Sequence, residues 1–279
     1  NFNFERIDIN KNIDKLMEYI IKFKPTYIVN FAAQGMVAES WKNPTDWYKT
    51  NLVSQVALHN QLRKLDFIKK YIHFTTPEVY GSTDKGWIKE NFNFSPTTPY
   101  AVSRASCDLH LMSFYKAYNF PVVFTRAANV YGEGQQLYRI IPRTMLSVLT
   151  GKELFLDGGG TSERSFIHIR DVSKALLKIS INAKPGTSWH ISTNSKISIK
   201  DLVIKIFNQN SIDYKSIVKM SEERLGKDQS YLLDSSFLRS QLNWKDEISL
   251  ETGLKMTMKW VQLNINKFKE MSWVYEHKV

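Results

Sequence analysis

Cysteine is nearly absent. The one cysteine, Cys107, excludes an internal disulfide and a Cys-rich zinc site and fits a reducing, cytoplasmic compartment. No apolar run approaches the roughly 18 residues of a membrane span, and no basic-then-apolar leader opens the sequence. Blocks of about five or six like charges are also lacking. The net charge of +11 therefore reads as scattered lysine faces plus a few arginines aimed at one anionic ligand, not as a nucleic-acid surface. The six histidines contain no pair at metal-ligand spacing, and His168 lies in a strand-like run, so no metal is expected. Glycine is missing from the opening of the chain, where the first is Gly35.

What is present is an ordinary globular composition, 43% apolar and 23% charged over 279 residues, enough for one large domain or two packed ones. Ile13, Leu16, Met17, Ile20 and Ile21 recur at helical spacing over 11–24, and Pro25 ends that helix. Residues 27–31 read as a short buried strand. A helix over 51–65, a strand over 71–74, a helix over 100–118 and a strand over 122–125 follow. Strands alternating with helices predict an α/β fold, a Rossmann-like doubly wound parallel sheet that binds ligands beyond the strands' carboxyl ends. Such a sheet opens with a strand, a Gly-rich turn and a helix. That unit, roughly 40 residues, is expected ahead of Asp8 and is missing from this sequence. After about residue 130 glycines punctuate shorter elements, with helices returning at 199–208 and 250–263, as in a smaller mixed α/β domain. The expected boundaries are 1–130 with 164–182 for a dinucleotide-binding domain, and 131–163 with 183–279 for a substrate domain.

Three of the expected strand ends carry polar groups at one side of the sheet: Asn30 to Gln34, Thr75 to Gly81 and Thr125 to Gly132. On the helix that follows the second, Tyr100 and Arg104 are one turn apart. Alone, such a pair usually just covers a surface. It carries chemistry when the fixed positive charge favours a phenolate, which turns a tyrosine into a base at neutral pH.

The ordered set Asp8-Ile9, 31–34, Thr50-Asn51, 75–81, Pro99-Tyr100 to Arg104, 126–132, 135–142 and 164–172 resembles the extended short-chain dehydrogenase/reductases acting on nucleotide sugars, in particular the dTDP-glucose 4,6-dehydratase-like branch. The resemblance covers essentially the whole chain. It implies NAD as cofactor, held by Asp8, Ile9, Ala32, Ala33, Gln34, Asn51, Tyr100 and Arg104, although Asp8 could equally cap a helix. It implies Thr76, Glu78, Tyr100 and Arg104 as the catalytic set. Tyr100 takes the sugar 4-hydroxyl proton as a hydride leaves C4, Glu78 removes the C5 proton as water leaves C6, and the hydride returns to C6. The product is a 4-keto-6-deoxy sugar from a UDP- or dTDP-linked glucose or N-acetylglucosamine, and loss of the C5 proton opens a route to epimerisation. Asn129, Arg139, Arg164, Asn194, Arg224 and Lys227 are implied contacts to the nucleotide sugar, since arginine forks suit a diphosphate. A homodimer through the Tyr100 helix is also implied, with Leu109, Leu111, Met112 and Phe114 on it, residues that core packing explains equally well.

Two positions depart from the family's pattern. Arg104 stands where lysine is usual, keeping the charge but changing its geometry. Pro77 stands where an aspartic acid usually protonates the departing oxygen, which leaves Glu78 to serve as base and acid. The alternatives are a 4-epimerase or a UDP-glucuronate decarboxylase, and, in another class, a catalytically inactive nucleotide-sugar-binding relative.

Overall fold

A computed structural model of the protein describes residues 2–83, 86–223, 225–226 and 228–277. In chain order its elements are α1 (Ile13–Phe23), β1 (Tyr27–Asn30), α2 (Pro44–Tyr48), α3 (Ser54–Leu62), β2 (Lys70–Thr75), β3 (Trp87–Ile88), α4 (Pro99–Tyr118), β4 (Val122–Ala127), β5 (Asn129–Tyr131) and α5 (Ile140–Thr150). Then come β6 (Leu154–Asp157), β7 (Glu163–Arg164), β8 (Phe166–His168), α6 (Ile169–Asn182), β9 (Ser188–Ile191), β10 (Ile197–Ser198), α7 (Ile199–Asn208), β11 (Val218–Ser221), β12 (Leu232–Leu233), α8 (Ser236–Leu242), α9 (Leu250–Leu263) and α10 (Ile265–Lys269). Two compact units result: Asn1–Gly81, Glu90–Arg126 and Lys178–Trp189, and then Ser82–Lys89, Ala127–Leu177 and His190–Val279. Residues 82–89, 127–130 and 164–177 thus cluster with the second unit and 183–189 with the first, unlike the boundaries expected from the sequence. Strand pairing is the reason. β7 pairs with β10, β8 with β5 and β3 with β12, whereas Gly186 and Thr187 exchange backbone hydrogen bonds with β4.

In the first unit β1, β2 and β4 run parallel in that order, and β9 begins on the far side of β4. This is the α/β arrangement expected. β4 is buried at all six positions, as in a parallel strand covered on both faces, and lies between β2 and β9. β1 corrects the reading of a buried strand. It ends the sheet order, and Tyr27 (44% exposed), Val29 (40%) and Phe31 (59%) face outward. On α1, likewise, Met17 and Ile20 are buried while Ile21 is exposed. α4 starts where its sequence says it should. Thr98 Oγ1 accepts from Ala101 N at 3.1 Å, Pro99 takes the first helical position, and Asn119 closes the helix in the left-handed region. Leu111 lies in the core with Met112 and Phe114 packed against it, leaving Leu109 as the exposed member of that set.

The second unit is built on helix packing. α5, α7 and α9 share a core containing Leu146, Leu202, Phe207, Leu254 and Val261. Four short strand pairs surround it. α7 and α9 have the bounds read from the sequence, each capped by a serine: Ser198 Oγ accepts from Asp201 N and Ser249 Oγ from Thr252 N. Among the described residues no helix is long and apolar enough to cross a membrane.

Candidate active site

At the carboxyl end of β1, side chains cradle backbone. Asn30 Oδ1 accepts from Ala32 N at 2.9 Å, while Gln55 Nε2 donates to Ala32 O at 2.8 Å and Asn30 Nδ2 donates to Gln55 Oε1 at 2.7 Å. Asn51, fully buried, accepts from Gln34 N at 2.8 Å and donates to Gln34 O and to Ser103 Oγ, each at 3.0 Å. The strip Ala32-Ala33-Gln34 is thereby fixed, and Asn51 acts on it through the backbone. Ile9, Asn30 and Ala32 share the wall of a cleft of about 870 Å³ with Ile28, Leu58 and Tyr71. Asp8, exposed, accepts from Asn10 N at 2.8 Å in the turn before α1, whose N-cap is Asn12.

Beyond β2 the chain makes a 3-10 turn over Pro77–Tyr80. Thr76 caps it, its Oγ1 accepting from Glu78 N at 3.4 Å and donating to the Glu78 carboxylate. Pro77 is buried at the first position of the turn, where a missing N–H costs nothing. Gly81 then bends away at φ +68°, and a Cβ there would lie 2.4 Å from Ser95 O.

α4 packs against this turn. Tyr100 is buried in its first turn, where the helix's positive end lies, and Arg104 follows one turn on. Arg104 is 3% exposed. Its Nη2 donates to Phe74 O, at the end of β2, while its Nε and Nη1 make no hydrogen bond among the described residues.

Below lies a charged network that no sequence pattern announced. Arg126, fully buried on β4, donates from Nη2 to Asp108 Oδ2 at 2.6 Å and from Nη1 to Ser188 Oγ at 2.5 Å. Tyr80, Phe92 and Phe94 place their ring centres within 5.6 Å of its guanidinium carbon. His73 Nε2 lies 3.1 Å from Asp108 Oδ1. Burial alone would raise the Asp108 carboxyl, yet Arg126 and His73 outweigh it and hold the group below the usual carboxylate range. Burial pushes His59 well below the usual histidine value, and the neighbouring His73 and His110 add to it. His59 Nε2 lies 2.8 Å from Tyr71 Oη, whose phenol burial pushes up. Asn30 donates to the same oxygen, which ties the β1 strip to the core.

In the second unit, Asn129 opens β5 and Arg164 closes β7. Arg164 is 7% exposed, with Nη1 donating to Glu163 O at 2.7 Å and Gln229 O at 3.0 Å, and Nη2 to Asp228 O at 2.7 Å. Tyr231, absent from the sequence-based set, joins the two. Its ring centre is 4.0 Å from the Arg164 guanidinium carbon, and its hydroxyl donates to Asn129 Oδ1 at 3.0 Å. Arg139 is the exposed N-cap of α5, beside Tyr138, and Asn194 is exposed in the turn between β9 and β10. Neither bonds to the Asn129–Arg164 pair. Arg224 and Lys227 lie outside the described residues. Among the described residues no group of three or more His, Cys, Asp or Glu side chains is placed to hold a metal ion.

The chain is similar to known proteins over nearly its whole length. The chain is 32% identical over 268 residues to a trifunctional UDP-glucose 4,6-dehydratase, UDP-4-keto-6-deoxy-D-glucose 3,5-epimerase and UDP-4-keto-L-rhamnose reductase of Arabidopsis thaliana; the match covers 95% of this chain but 40% of that enzyme's length. It is 30% identical over 275 residues to the dTDP-D-glucose 4,6-dehydratase of Mus musculus, covering 96% and 76% of the two chains. The crystal structure of a dTDP-glucose 4,6-dehydratase from Streptomyces venezuelae with NAD bound superposes with a TM-score of 0.88 at 27% identity, covering 94% of this chain and 80% of that one. The GDP-mannose 4,6-dehydratase family model matches residues 1–257, and the chain belongs to that family of nucleotide-sugar dehydratases.

Proposed function

We propose that the chain works as an NAD-dependent nucleotide-sugar 4,6-dehydratase, converting a UDP- or dTDP-linked glucose or N-acetylglucosamine to its 4-keto-6-deoxy form. One observation carries this reading: a carboxylate, Glu78, is held by the hydroxyl of Thr76 at a strand's carboxyl end, on a turn against which the helix of Tyr100 packs. A dehydration needs that carboxylate, and simple 4-epimerisation does not.

One feature suits a dinucleotide: Arg104 keeps two buried donor nitrogens without partners among the described residues, which a ribose hydroxyl would satisfy. Asp8 would hold the adenosine end, with Ala33 and Gln34 beside Ala32 and with Asn51 fixing that strip. NAD, when bound, supplies the acceptor for the C4 hydride and later its donor to C6, so no net oxidation occurs. Tyr100 Oη takes the proton of the sugar 4-hydroxyl. The positive end of α4 and the guanidinium one turn on stabilise the anion from which it acts. Thr76 Oγ1 orients the hydroxyl. Glu78 then removes the C5 proton and, with a proline at 77, is also the group that returns a proton to the leaving C6 oxygen. Asn129, Arg139, Arg164, Asn194, Arg224 and Lys227 are assigned to the nucleotide diphosphate and sugar. A cytoplasmic homodimer completes the reading.

The test is incubation with NAD and each of dTDP-glucose, UDP-glucose and UDP-N-acetylglucosamine, followed by mass spectrometry. Loss of one water is expected from one of them, and Tyr100→Phe should lower that rate by about 10²–10⁴-fold. An unchanged mass with an inverted C4 centre, or loss of carbon dioxide from UDP-glucuronate, would overturn the dehydratase reading. Binding without turnover would leave a binding protein. Light scattering at the mass of one chain would remove the dimer.

A further inference from the structure

Arg164 poses a problem of charge. A guanidinium that is 7% exposed has lost most of its water, and such a charge is normally compensated by a carboxylate. Its three hydrogen bonds all go to backbone carbonyls, those of Glu163, Asp228 and Gln229, and no ion pair joins it among the described residues. Three bonds from five N–H donors leave two unspent. The nearest acid in sequence, Glu163, is engaged by Lys196 at 2.6 Å. The positive charge is therefore fixed in place but not neutralised.

Tyr231 sets how that charge is presented. Its ring lies 4.0 Å from the guanidinium carbon, so one face of Arg164 is covered and the plane of the fork is fixed. Its hydroxyl occupies Asn129 Oδ1, which orients that amide and leaves Nδ2 without a partner among the described residues. One side chain thus determines both the plane of a guanidinium and the direction of an amide N–H₂. Both offer donors only. The segment bearing Tyr231 is itself held along β7, because Glu163 N donates to Gln229 O at 2.9 Å and Glu163 bridges to Ser230.

We propose that Tyr231 is a positioning residue, one that sets the plane of Arg164 and the direction of the Asn129 amide, the two side chains assigned above to the nucleotide diphosphate and here called the clamp. The identity of that anion rests on the nucleotide-sugar reading above; the clamp itself rests on the uncompensated charge. The role proposed for Tyr231 acts through Arg164 and Asn129 and is read as affinity.

Calorimetric titration with inorganic pyrophosphate, dTDP and UDP tests this on the full chain and on Tyr231→Phe and Tyr231→Leu. Losing one hydrogen bond should weaken pyrophosphate and the preferred nucleotide by about 3- to 10-fold in Tyr231→Phe. Losing the ring as well should give roughly 30-fold or more in Tyr231→Leu. The turnover number at saturating substrate should stay at the parent value in Tyr231→Phe while KM rises. Thermal unfolding checks that both variants are folded, and Tyr231→Phe, which keeps the packing volume, serves if Tyr231→Leu is not. Equal affinities in parent and Tyr231→Phe would overturn the proposal, as would a loss seen with dTDP or UDP but not with pyrophosphate. Parent protein that binds pyrophosphate but neither nucleotide would leave the clamp standing and remove the nucleotide-sugar reading. Parent protein that binds none of the three would remove both.

Discussion

Arg126 and Arg164 are both buried arginines, one in each unit, and they are satisfied in opposite ways. Arg126 meets a carboxylate, a hydroxyl and three aromatic rings, so its charge is balanced inside the fold. Arg164 meets three carbonyls and one ring, so its geometry is fixed while its charge is left over. Burial alone therefore does not tell a structural arginine from a binding one. The sign of what surrounds it does.

The largest expected effect breaks the balanced pair. Arg126→Met removes the guanidinium from buried Asp108, leaving His73 Nε2, 3.1 Å away, as its partner, and should lower stability by about 3–5 kcal/mol, read from urea unfolding. If the loss is under about 1 kcal/mol, the network is ornamental. Arg164→Met should cost less, about 1–2 kcal/mol, because three carbonyls lose donors but no opposite charge is stranded. Its signature lies elsewhere: pyrophosphate or dTDP should raise the melting temperature of the parent chain and of a folded Asp108→Asn variant, but not of Arg164→Met. A ligand-induced rise that survives in Arg164→Met would contradict the contrast drawn here.

The smallest effect concerns pH. His59 has a folded pKa below its unfolded value near 6.5, so the unfolded chain binds the extra proton. Stability is then full above about pH 6.5 and declines as pH falls below it. Asp108, also depressed, adds a second decline below about pH 4. His59→Gln should flatten the first limb and Asp108→Asn the second, measured as unfolding free energy against pH. His168, in the second unit, is lowered by burial in the same way, so His59→Gln should reduce the first limb without abolishing it.

Much of the fold was legible because periodicity is a local property. The helices over 199–208 and 250–263 needed only apolar spacing and a capping serine. The strand over 27–31 was misjudged because its apolar run resembles that of β4. Composition does not say which faces of a strand are covered, and along β1 and just beyond it the alternate residues Tyr27, Val29 and Phe31 share one exposed face. Thr76, Glu78, Tyr100 and Arg104 came from the resemblance of the ordered motifs to a known family, and they lie at the end of β2, on the turn after it and on α4. Asp108, His73 and Tyr231 could not be picked out. Each matters through a partner far away in sequence: Tyr231 lies 102 residues from Asn129, and Arg126 lies 62 from Ser188.

The sequence by itself determined which elements form, the order of the motifs along them and the family to which they belong. The elements follow from spacing, capping residues and turn chemistry, all of which act within a few residues, and the family from the resemblance of the ordered motifs. Only the tertiary structure decided which buried charges are neutralised. Compensation depends on what long-range packing brings within about 3 Å, as it brings a carboxylate to Arg126 and only carbonyls to Arg164.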